Sequence, residues 1–130
     1  MSRVDIEVEG LDELIVALTV AADSVIDAVE RVVGQGCNNI KKDAAARWRG
    51  YPHLPHLPRS VDYDVTREGD TVTGEVGPNK AKLQGGLGSI IERGTLTSGP
   101  IPAMSPAFDA EAPRFENALA DIAVELIERG

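Results

Sequence analysis

His53 and His56, separated by two residues, are the side chains in this sequence best suited to hold a metal, with Cys37 or Asp43 as further donors. A zinc site needs such nitrogen, sulfur and carboxylate donors to converge on a tetrahedron. Both histidines lie in a proline-rich run, without the helix-borne spacing of zinc proteases and without a paired Cys-x-x-Cys, so no metal is expected. Gly85-Gly86-Leu87-Gly88-Ser89 has the glycine content of a phosphate-cradling loop. It lacks the Lys-Ser ending, and Ile91 stands where the third glycine of Gly-x-Gly-x-x-Gly would fall, so it reads as a flexible loop. No serine sits in a nucleophile-elbow context with a histidine base and an orienting third group. The carboxylate pairs Asp12/Glu13 and Asp62/Asp64 read as solubilising charges, and Cys37 as a small buried hydrophobe. The reactive residue types do not converge. The sequence predicts a protein that is not an enzyme and carries no cofactor.

The elements around these residues follow from composition and pattern. A chain of 130 residues with 42% apolar side chains suits one folded domain. Aromatics make up only 4% (Trp48, Tyr51, Tyr63, Phe108 and Phe115), so the core must be aliphatic. A lone cysteine forms no internal disulfide. No apolar run approaches the roughly 20 residues of a membrane span. Met1 to Asp5 lacks a signal-peptide apolar region, which predicts a chain kept in reducing cytosol. The formal charge of −8 argues against wholesale binding to nucleic acid or a membrane surface. That charge is uneven. Residues 1–33 hold eight acids and two bases, and residues 101–130 hold six acids and two bases. Residues 34–60 reverse the sign, with Lys41, Lys42, Arg47, Arg49 and Arg59 against Asp43 alone. Such a stripe is either a solvated face offsetting acidic neighbours or a contact for an acidic partner or a phosphate backbone.

Val4, Ile6 and Val8 alternate with acids, which predicts a strand over 3–9. From Leu11 the apolar residues recur at about 100° per residue, which predicts one long amphipathic helix over 11–49, kinked or loosened at the glycines of 34–36. Val16 and Val20 sit on the polar side of that helix and are candidates for a seam against another subunit. Prolines 52, 55 and 58 predict an extended link over 50–59, with Leu54 and Leu57 on one edge. Alternation on both sides of Glu68-Gly69-Asp70 predicts a hairpin over 60–77. A glycine-rich flexible loop over 78–88 precedes a short apolar segment at 89–94 and a proline-rich link at 95–105. The last element is a helix over 106–129, capped by Ser105 with Pro106 at its first position and kinked near Pro113. Strands and helices are segregated, so the fold class is α+β: a small antiparallel sheet of the N-terminal strand plus the hairpin, covered by a long N-terminal helix and a C-terminal helix.

The segment Ile91-Glu92-Arg93-Gly94-Thr95, followed by Pro102-Ala103-Met104-Ser105-Pro106-Ala107-Phe108, resembles a known signature. It is similar to the "V-E-x-G-T … P-x-P-F-x-x-P-A" pattern of the head–tail joining and tail-completion (neck) proteins of long-tailed bacteriophages, the gene-product-ten-like family. Leu57-Pro58-Arg59-Ser60-Val61 resembles the family's strand start, and Val76-Gly77 its hairpin ending. The chain departs from the pattern in three places. Pro-His-Leu-Pro-His-Leu replaces Pro-x-Thr-Gly, the aromatic before Glu92 is absent, and Pro113 interrupts the last helix.

The resemblance implies a structural virion protein: a ring, usually sixfold, in the neck or at the top of the tail tube of a siphophage. Such a ring acts as head–tail connector or tail terminator and is assembled in the host cytoplasm. Its partners would be further copies of itself and neighbouring neck, portal-adjacent or tail-tube proteins. DNA would pass through the opening without tight binding, and no membrane is involved. Glu92, Gly94, Thr95, Pro102, Met104, Pro106 and Phe108 would then be structural, with Gly94-Thr95 setting a turn and Met104 and Phe108 anchoring the last helix. The candidate subunit or partner contacts are Val16, Val20, Leu54, Leu57, Lys41, Arg47, Arg49, Lys80 and Lys82. The competing expectation is a small cytosolic binding module or regulator that uses its basic segment 41–59 on an acidic partner.

Overall fold

The computed structural model describes residues 3–9, 13–19, 25–50, 54–93 and 102–129. Two strands, β1 (Arg3–Glu9) and β2 (Glu13–Thr19), come first, then helix α1 (Ile26–Trp48) and a helical turn α2 (Leu57–Ser60). Strands β3 (Val61–Glu68) and β4 (Thr71–Pro78) follow, then a short 3-10 turn, α3 (Gly88–Arg93) and α4 (Met104–Arg129). The strands form one antiparallel sheet in the order β1-β2-β4-β3. The class is α+β, as the pattern predicts.

The core is built on period-two and period-3.6 spacings that meet. On β4, Val72, Gly74 and Val76 are buried while Thr71, Thr73 and Glu75 between them are not. On α1 the buried residues are Ile26, Val29, Val33, Gly36, Cys37, Ile40, Ala44 and Trp48, one face of a helix. The helix lies on β4 so closely that a Cβ at Gly74 would stand 2.6 Å from Val33 Cγ1 and 2.7 Å from Cys37 Sγ. Only glycine permits that approach. Helix α4 then packs along α1, with Phe115 Cδ1 only 3.2 Å from where a Cβ of Gly36 would be.

The structure corrects several element boundaries. Residues 13–19 are a strand, not the start of the long helix, and the helix begins at Ile26. Leu14-Ile15-Val16-Ala17-Leu18 is apolar throughout and therefore fits either period. Pairing decides, because β2 sits between β1 and β4 and satisfies backbone groups on both sides. Val16, anomalous on a helix, stands opposite Ile6 on one side and Gly74 on the other. Helix α1 runs continuously through Gly34 and Gly36, because Gly36 serves the close approach of Phe115 rather than a break. Within the proline-rich link, residues 57–60 form a helical turn instead of extended chain. Pro58 falls in its first turn, where a missing N–H costs nothing, and Ser60 Oγ donates to the Leu57 carbonyl at 2.6 Å.

The segment expected as a flexible loop is a series of hydrogen-bonded turns: Lys82 N to Asn79 O at 3.0 Å, Gly85 N to Lys82 O at 3.0 Å, and Leu87 N to Gln84 O at 3.1 Å. Gln84 holds it to the link, its Oε1 accepting from His56 N at 2.7 Å. Helix α4 continues through the exposed Pro113 without ending there.

Replacing Gly74 by Ala should destabilise the fold by about 1–3 kcal/mol through overpacking against Val33 and Cys37. Gly34→Ala should instead stabilise by up to about 1 kcal/mol, since nothing lies within 4 Å of the added methyl and helix propensity improves. Urea unfolding midpoints of the two variants should move in opposite directions.

Candidate functional site

Among the described residues, charge or reactive groups gather at a buried carboxylate at the head of α4, at a buried thiol under α4 and at a basic groove beside α1.

Glu92, in the last turn of α3, is only 5% exposed. Its Oε1 accepts from the amides of Ala103 at 2.7 Å and Met104 at 3.0 Å, and its Oε2 from Ser105 at 3.3 Å. These amides open α4, where backbone N–H groups have no intrahelical acceptor and the helix dipole favours negative charge. A buried carboxylate is costly unless hydrogen-bonded, and here both oxygens are. The Ala103 carbonyl takes the first helical bond, from Ala107 N at 3.0 Å. Glu92 is therefore the cap, and Ser105, expected in that role, lies exposed within the first turn. Ala103, Met104 and Ala107 are buried around this joint, and Phe108 packs half-buried against the core. Pro102 is exposed and Pro106 half-buried, while Gly94 and Thr95 lie outside the described residues.

Cys37 is buried, as its sequence context predicts. Burial pushes its thiol up to about 11, with the negative charge of Glu111 adding to the effect. Glu111 is 8% exposed and is matched by Asn39 Nδ2 at 3.1 Å and Arg114 Nε at 2.7 Å. This charged cluster ties α4 to α1. Among the described residues, no group of three or more His, Cys, Asp or Glu could hold a metal ion. His56 is exposed and His53 lies outside the described residues.

The basic stripe divides into two sets. Arg47 pairs with Asp43 at 2.9 Å along α1, and Lys41 reaches Asp62 at 3.6 Å while standing 5.8 Å from the Tyr63 ring centre. Lys82 holds the other Asp62 oxygen at 3.2 Å. That hydrogen bond is the main reason the Asp62 carboxyl lies below its ordinary range. Lys42, Arg49 and Arg59 have no ion-pair partner among the described residues, and with Lys41 they rim a groove whose apolar part is Ala45, Pro55 and Pro58. Bases at the end of α1 also suit the negative end of its dipole.

The remaining candidate contacts scatter. Leu57 is fully buried and is a core residue, not a contact, because the helical turn at 57–60 folds it inward. Leu54 is half-buried against the same core, Lys80 is exposed, and Val20 lies outside the described residues.

Compared with known protein families, curated proteins and solved structures, the chain shows no match.

Glu92→Ala should cost about 3 kcal/mol, since two buried amides and one part-buried amide lose a charged acceptor. Ser105→Ala should cost less than about 0.5 kcal/mol on an exposed site, and parallel urea titrations compare the two. With its thiol near 11, Cys37 should react with a thiol reagent at pH 8 at least about a hundredfold more slowly than a free cysteine until urea unfolds the chain.

Proposed function

We propose that this chain is a non-enzymatic structural subunit of a phage virion, forming a closed ring in the neck or at the top of the tail tube through which DNA passes. One observation carries the reading. The described part of the segment that resembles the neck-protein signature forms a structural joint, with Glu92 locking the start of α4. A motif used this way fixes the angle between the C-terminal helix and the sheet, as a repeated subunit requires.

Charge on the sheet supports the conduit. The cross-strand register sets Asp64 directly opposite Glu75, and both are exposed on the face turned away from the helices. Like charges so placed oppose folding. Glu68 on β3 adds to the same face. A wall of this sign repels phosphate and lets DNA slide past without sticking. Strands β1 and β3 are the edges of the sheet, free to pair with adjacent copies.

Negative-stain images of the purified chain should contain annuli of uniform diameter. Fields of single small particles, with tail-tube protein also present, would contradict the ring. The wild-type chain should show no tight duplex-DNA binding at moderate salt, whereas Asp64→Lys with Glu75→Lys should produce salt-dependent binding by fluorescence anisotropy.

A further inference from the structure

Resting on the ring reading, we infer that the basic groove beside α1 receives the outer face of α4 from the next copy of the same chain. Three observations lead there.

The first is spacing. Lys42 on α1 and Arg49, the residue that caps its C-terminal end, stand seven residues apart, with Ala45 between them on the groove wall. Asp109 and Glu116 stand seven residues apart on α4, both exposed, with the exposed Pro113 between them. Seven residues are two helical turns, about 10.5 Å, so two bases on one helix match two acids on the other. The residues between the charges are short or compact in both cases, which lets the two helices approach closely.

The second is position. At about 100° per residue, the α1 residues that meet α4 (Gly36 and Asn39) centre about 130° around the helix from those that wall the groove (Ala45 and Arg49). No described residue of α4 lines that chain's own groove. The groove and the acidic face are two different surfaces, and joining one to the other between copies is a heterologous contact, the kind that closes into a ring.

The third is the charge balance. The chain is acidic overall at −8, yet Lys42, Arg49 and Arg59 converge at one groove with no ion-pair partner among the described residues. The outer face of α4 also exposes Val124, at 53% exposure. That mixture of carboxylates and an aliphatic side chain suits a groove with a basic rim and a wall of Ala45, Pro55 and Pro58.

The experiment is a charge exchange read by sedimentation velocity. One variant carries Lys42→Glu and Arg49→Glu, and the other carries Asp109→Lys and Glu116→Lys. Each alone sets like charge against like and should sediment as a monomer with unchanged circular dichroism. An equimolar mixture restores opposite charges at every contact and should recover the assembly, in rings of even copy number because the variants must alternate. Recovery on mixing also shows that both variants are folded. Two results overturn the inference while leaving the ring intact: wild-type assembly that neither reversal disturbs, and two impaired variants whose mixture stays monomeric. A wild-type chain that is monomeric throughout would overturn both the pairing and the ring. Tight, salt-sensitive binding of duplex DNA by the wild-type chain, lost in the Lys42→Glu, Arg49→Glu variant, would assign the groove to phosphate instead.

Discussion

The carboxylate of Glu92 across the first amides of α4 is the contact on which the arrangement of the molecule turns. It joins residues 11 to 13 positions apart, beyond the reach of a cap drawn from the helix's own first turn. It sets where α4 starts and in which direction it leaves. From there α4 passes Gly36 of α1 and clasps it through Glu111, Asn39 and Arg114. Helix α1 in turn rests on β4 at Gly74. Cap, helix contact and sheet contact form a chain of close approaches, and loosening the first frees the last helix from the rest.

Much of this architecture is legible in the sequence because burial leaves periodic traces. Val72, Gly74 and Val76 alternate, and the inward residues of α1 keep helical spacing from Ile26 to Trp48. The misreading of 13–19 has an equally physical origin. An unbroken apolar run supports both periods, and Val16, which would fall on the polar side of a helix, pairs opposite Gly74 in the sheet. Pro58 misled because proline forbids a helix interior but not a first turn.

At the site, the identity of Glu92 was visible but its work was not. Local capping rules pointed to Ser105, and no sequence rule finds an acceptor so far upstream. The basic stripe was legible as a run of residues. Its division into paired Lys41 and Arg47 and Lys42, Arg49 and Arg59 without an ion-pair partner among the described residues depends on where β3 and the 54–60 turn fold back against α1.

Charge is then arranged by surface rather than by stretch of sequence. The sheet face turned from the helices is acidic, the outer face of α4 is acidic, and one groove is basic. On the ring reading, a net charge of −8 so distributed would keep isolated copies apart at long range while leaving a complementary contact at short range. Native mass spectrometry of the purified wild-type chain across micromolar concentrations addresses the ring reading most directly. A closed ring gives one dominant stoichiometry that does not grow with concentration. A monomer at every concentration, or a ladder of ever larger species, would contradict it.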